Sequence, residues 1–172
     1  MNELDLIRNQ LTAERQHAAD IARNGTRVGQ AQIDYLLFVL ARFEERDRIL
    51  TDVYHSRFPA TDPARPPLDA LFGGPGTSHE ALAMLESALS ATAVVGDAQT
   101  GNIRGWNEFV TYLEGPWCAR RDAIDALLQQ NVRIADWRAI SFVDADSIVK
   151  ERALYARAKA DAAKADSGRP AP

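Results

Sequence analysis

Two short stretches of this chain combine residue types that can do chemistry. Glu114-Gly115-Pro116-Trp117-Cys118 places an acid, an indole and the single cysteine around a Gly-Pro pair. It lies inside what otherwise reads as one long amphipathic helix, Trp106 to Val132. An interior proline removes a backbone hydrogen bond and clashes with the preceding turn, costing about 3 kcal/mol, and the glycine adds about 1 more. The sequence therefore predicts a helix break there, with Glu114 and Trp117 beside a pocket that a broken helix cannot close. The second stretch is Glu14-Arg15-Gln16-His17, which puts an acid and an imidazole on one helix face, the spacing used by carboxylate-bridged metal bundles. A metal centre of that kind needs the pair on two helices. The nearest second example, Asp52 to His55, falls about 25 Å away along the helices.

The elements that must position these residues read as helices. Leu4, Ile7, Leu11, Glu14, Ala18 and Ile21 recur at steps of three and four, predicting a helix over 3–23 that Asn24-Gly25 stops. Glu14 interrupts that apolar seam. One reading makes it an edge residue that snorkels to water; the other aims it into the interior. A second helix, Val28 to Arg57, is apolar nearly all round until Phe43, which marks it as central. The run Glu44 to Arg48 then reads as a solvated face, with Asp47 turned to the seam. Prolines and glycines from Pro59 to Gly76 make a long loop, with a helical turn expected around Leu68, Leu71 and Phe72. Thr77 and Glu80 form a capping-box pattern ahead of a thin, alanine-rich third helix that ends near Gly96. Asp97 to Gly105 is a polar loop. After the fourth helix come a short helix or turn near Trp137 and a last helix over about 145–164, capped by Asp144 or Asp146.

The expected architecture is all-α: an up-down-up-down four-helix bundle with an additional C-terminal helix and a disordered tail. Residues 1–158 make one domain, and 159–172 the helix end and tail. Counting about 1.5 Å per residue from the end where both hairpins turn brings Glu14, Glu86 and Glu114 to one depth, with His17 and Asp34 about a turn above. Glu14, His17, Glu86, Glu114 and Trp117 are thus the candidate ligand-binding residues. In the competing reading Asp34 and Glu86 face water and the layer never converges. Deeper down, Glu44, Glu45, His79, Arg120 and Arg121 make a salt-bridge layer. Stepping from Trp117 to Ile124 puts Arg120 at the seam.

The helix order, the Phe43-Glu44-Glu45-Arg46 run and the Gly-Pro-Gly loop entering a His-containing third helix resemble a hemerythrin-type bundle over residues 3–132. That resemblance implies an oxygen-binding centre built from histidines on every helix. Only His17 matches, and the chain's three histidines do not fill such a site. If the fold is shared, the metal centre is not.

Composition excludes several function classes. The net charge of −4, with acids and arginines interleaved, leaves no basic face for nucleic acid. One cysteine allows no internal disulfide, and no zinc-type spacing exists. Arg120 and Arg121 would lower the Cys118 thiol's pKa in a reactive-cysteine reading, but no histidine is expected beside it and a buried, inert cysteine is the commoner case. The polar N-terminus lacks a signal-peptide pattern, and no run is long enough for a membrane span, so a soluble cytoplasmic protein is expected. Arginine outnumbers lysine heavily, as in GC-rich bacterial genomes; the three lysines all lie after residue 149. There is no phosphate loop, dinucleotide fingerprint or nucleophile elbow. The expected function is that of a non-enzymatic accessory or interaction protein, with a protein partner or a homodimer as its means of action. The alternative is a small-molecule or metal-binding bundle with its site near Gly115-Pro116. The sequence names no cofactor.

Overall fold

The computed structural model describes residues 2–23, 27–67, 75–90, 93–95, 98–100, 103–141 and 144–167. The all-α class holds, with seven helices and a small ribbon among these residues. The expected turn at Leu68 to Phe72 and the tail beyond Ser167 lie outside the described residues.

Helix α1 spans Glu3–Ala22 and α2 Gln30–Arg57. Asn2 starts α1 with a capping box, its side chain accepting from Asp5 N at 2.9 Å. Helix α3 is Ser78–Ser90, started as expected by Thr77, whose Oγ1 accepts from Glu80 N at 3.2 Å. It stops earlier than the seam predicts, because Val94 and Val95 belong to a strand. Strands β1 (Arg27–Val28), β2 (Ala93–Val95) and β3 (Ala98–Thr100) pair antiparallel in the order β1-β3-β2. Arg27 faces Thr100. The α1–α2 and α3–α4 connections therefore sit at the same end, as the helix order requires.

Helix α4 (Ile103–Tyr112) and α5 (Cys118–Gln130) are joined by a π-helical turn, Leu113–Trp117. The expected break is absent. In π winding a carbonyl is met by the N–H five residues on, so the Tyr112 carbonyl finds Trp117 instead of the proline that has no N–H. The price is one extra residue per turn, and it moves the inward face. Phe109, Leu113, Trp117 and Arg121 are all buried at steps of four. Plain α winding at about 3.6 residues per turn would have brought Arg120 inward instead, which is why the seam arginine is Arg121.

Short helix α6 is Trp137–Ser141, and α7 is Ala145–Ser167 with Asp144 as its cap, Oδ1 accepting from Ser147 N at 2.8 Å. Helix α2 is central, packing most extensively on α7 and α3. Its buried stripe includes Tyr35, Leu36, Val39, Leu40, Phe43, Leu50 and Tyr54. Among the described residues no helix is long and apolar enough to cross a membrane.

Candidate functional site: two clefts beside α1

The seam of α1 carries Glu14 into the interior, and this decides the first site. Glu14 is only 3 % exposed, so it is no snorkelling edge residue. Opposite it, α2 presents two arginines four residues apart. Arg46 Nη1 meets Glu14 Oε2 at 2.5 Å, and Arg42 Nη1 lies 3.4 Å from Oε1. The same Arg42 nitrogen also pairs with Glu151 of α7, so one guanidinium draws the two carboxyl groups together. Arg46 further donates to the Ser141 carbonyl of α6 at 2.8 Å. Four buried ionisable groups thus join α1, α2 and α7, and Arg46 ties in α6 through the Ser141 carbonyl. Arg46 belongs to the stretch that reads as a solvated face; its guanidinium instead lies over the Phe43 ring, 4.8 Å from the centroid.

Burial pushes the Glu151 carboxyl up to about 7, with the neighbouring Glu14 charge adding to it and Arg42 opposing. Desolvation likewise lowers the Arg46 pKa against the pull of Glu14. Beside this quartet the Tyr35 hydroxyl is buried near Glu151, Glu14 and Arg42 with no hydrogen-bond partner. Burial raises its pKa, and the two acids add to the effect.

Outward from the quartet runs a cleft of about 390 Å³ between α1 and α7. Leu6, Ala13 and Ile148 supply apolar wall, while Glu14 and Glu151 lie at its buried side. His17 and Tyr155 stack at 4.1 Å between centroids, 10° from parallel. Burial lowers the His17 pKa, partly offset by Asp20. Arg152 lines the cleft, is exposed, and has no ion pair among the described residues.

A second cleft of about 380 Å³ lies on the other side of α1, beside the π turn. Its charges are paired near the surface: Arg23 with Glu114 and Asp20, Arg15 with Asp122 at 2.8 Å and Asp125 at 3.3 Å. Cys118 is half-buried there, and burial raises its thiol pKa although Arg15 opposes the shift. The raised pKa fits the inert cysteine and not a thiol activated by Arg120 and Arg121.

The structure brings Glu14 and His17 to one cleft and leaves the other candidates apart. Glu114 stands across α1 with Arg23, about nine residues along the helix from Glu14. Glu86 is exposed on α3. Trp117 is fully buried, donating through Nε1 to Ser78 Oγ at 3.0 Å and meeting Phe43 edge-on at 5.1 Å. It is a core strut and lines neither of the two clefts. Asp34 accepts from Gln30 on its own helix at 2.8 Å. Glu14 and Glu114, expected at one depth, are offset along α1 by more than two turns. The deeper layer assembles in part: Glu44 pairs with His79 Nδ1 at 2.8 Å, while Arg121 takes Asp47 at 2.5 Å and Glu45 pairs with Arg48 on its own helix. Arg42 and Glu151 carried a signal in the sequence, since each sits at seam spacing, beside Phe43 and between Ile148 and Leu154.

The π turn is fastened from outside. Gly76 has φ +96°, and a Cβ there would lie 2.3 Å from the Pro116 carbonyl oxygen. Its N–H donates to the Tyr112 hydroxyl at 2.9 Å, and that hydroxyl also contacts the Glu80 carboxylate. Burial first, then Glu80, raises the Tyr112 pKa.

Among the described residues no three His, Cys, Asp or Glu side chains gather as a metal-holding group. No family model, curated protein or solved structure matches this chain.

Proposed function

We propose that this chain is a non-enzymatic binding protein that serves as a soluble cytoplasmic accessory or interaction protein. Its scaffold is read as an up-down-up-down bundle of α1, α2, α3 and the continuous α4–α5 helix, with α7 added, over residues 1–158. Contact pairs support that reading. Arg23 with Glu114 and Arg15 with Asp122 set α1 antiparallel to α4–α5. Ala88 beside Gly105 and Ser78 beside Trp117 set α3 antiparallel to it.

The observation that carries the binding reading is the α1/α7 cleft. It combines apolar wall, an aromatic stack and a few convergent polar groups, which is the usual make-up of a ligand pocket. Its volume suits a small organic molecule. Leu6 is 56 % exposed at this cleft, and Val149, next to Ile148, is 66 % exposed. The same apolar residues would serve a protein partner or a homodimer. Amide chemical-shift mapping on the full chain with a fragment set tests the reading. Shifts should gather at Leu6, His17, Glu151 and Tyr155; shifts gathered elsewhere would overturn it.

A second reading places a small-molecule site in the polar cleft beside Gly115-Pro116. The π turn supports it, since such turns recur at functional sites. The same mapping separates the two, with Glu114 and Cys118 as reporters.

A further inference from the structure

We propose that the outward face of α7 docks an acidic α-helix of a partner protein, packed side by side against it as in a two-stranded coiled coil. This goes beyond the cleft reading, because the face looks away from the α1/α7 cleft and shares only Arg152 with its lining.

Charge marks the face. The chain carries a net charge of −4, yet α7 presents five exposed cations between Lys150 and Lys164. All three lysines of the chain are among them. They fall in two rows. Lys150, Arg157 and Lys164 recur at steps of seven, and Arg152 and Lys159 form a second row at the same step. At about 3.6 residues per turn these rows flank one strip of the helix surface. Val149, Ala153, Ala156, Ala160 and Ala163 fill that strip at steps of four and three, and all five are exposed. The other side of the helix is packed: Glu151 pairs with Arg42 of α2, and Ala158 is fully buried. Lys150 leans over the Phe38 ring of α2 and Lys159 over the Tyr155 ring, 5.2 and 5.5 Å from the centroids, and both remain exposed. The neighbouring acids leave the rows in excess. Glu151 is buried, Asp161 lies against Gly29 at the start of α2, and Asp146 stands in the first turn, before the strip begins. Asp20 of α1, which reaches His17 as Lys159 does, offsets part of one row.

The spacing names the kind of partner. Steps of four and three are those of a coiled-coil seam, and the residues flanking a seam set which helix pairs with it. Here both flanks are basic. Two copies of α7, parallel or antiparallel, would set cation against cation, so the face rejects a second copy of itself and selects acids at the matching positions. Alanines in the seam let the two axes approach to about 8 Å. A lipid surface fits poorly, since alanines and one valine supply none of the large apolar anchors that an interfacial helix sinks into a bilayer. Small residues bury little area, so binding is weak and depends on salt.

A designed peptide of three heptads, with alanine and leucine in its seam and glutamate on both flanks, tests this on the full chain beside its lysine-flanked counterpart. The glutamate peptide should shift the amides of Ala153, Ala156 and Ala160, leave Leu6 and His17 of α1 unmoved, and bind more weakly as salt rises. Arg152→Glu combined with Arg157→Glu should reverse the preference toward the lysine peptide. Ala156→Gln, which leaves the charge unchanged, should weaken binding of the glutamate peptide about tenfold. All three positions are exposed, so the variants keep the fold. Equal binding of the two peptides, or binding of neither, would overturn the proposal. So would undiminished binding to Ala156→Gln, a dimer of the chain that Ala156→Gln dissolves, or tighter binding of duplex DNA or phosphatidylserine vesicles at α7. None of these outcomes bears on the cleft, which fragment shifts at Leu6 and His17 test separately.

Discussion

The two clefts that flank α1 have nearly equal volumes, about 390 and 380 Å³, and handle charge in opposite ways. Toward α7 the ionic groups are buried, and one guanidinium serves two carboxyl groups. Toward α5 guanidiniums also serve two carboxylates each, Arg23 with Glu114 and Asp20 and Arg15 with Asp122 and Asp125, but the groups reach the surface, as with Arg23 and Asp122. Buried pairs gain large Coulomb terms but lose hydration, so removing one partner strands the other. Surface pairs do neither. The difference teaches that one side of α1 is committed electrostatically and the other is decorated.

Glu14→Ala tests this contrast most severely. It leaves Arg46 buried without its carboxylate, and it should cost about 3–5 kcal/mol in urea unfolding. A loss below about 1 kcal/mol would erase the distinction between the clefts. Gly76→Ala comes next. It places a Cβ against the Pro116 carbonyl at positive φ, and about 2–3 kcal/mol should be lost on chemical denaturation. Amide shifts should then move at Glu114 and not at Glu151.

A third measurement uses pH. In the folded protein the Glu151 pKa lies near 7, above its ordinary value, so the folded state holds a proton that the unfolded chain has lost. The stability this contributes is complete below the ordinary carboxylate pKa and is lost as pH rises through about 7. Wild-type protein should therefore lose stability relative to Glu151→Gln between about pH 5 and pH 7.5. Parallel curves would break the comparison. The polar cleft gives the smallest responses. Glu114→Ala should change stability by less than about 1 kcal/mol. Cys118 should be alkylated more slowly than a free thiol at neutral pH, with its rate rising at a midpoint above the ordinary thiol value.

Much of the fold was legible because helical seams and caps are local signals. The stripes of α1 and α2, the Thr77 and Asp144 caps and the shared end of the two hairpins all follow from spacing of three or four and from turn residues. The site was legible only in part. Glu14 stood visibly in the seam, but a carboxylate there can turn either way until a partner is known, and its partners are 28 to 137 residues distant in sequence. Arg46 hid in a charged run whose composition reads as solvated. Glu86 and Glu114 entered the expected layer because residue counting assigns depth and not direction; α1 stands between Glu114 and the quartet. The Gly-Pro pair signalled an irregularity correctly. Its form was not legible, since a break and a π turn relieve the same missing hydrogen bond.

That π turn also means that the long helix contains a residue that does not count toward its phase. Phe109, Leu113, Trp117 and Arg121 span three turns with twelve residues, where α winding uses about eleven. Excising Pro116 would leave the remaining spacings at four, three and four, with all four side chains on one stripe. The helix would become uninterrupted without re-aiming anything it buries, and the contact between Gly76 and the Pro116 carbonyl would vanish with it. The irregularity is in this sense a detachable module, set into the helix for what its outward side meets.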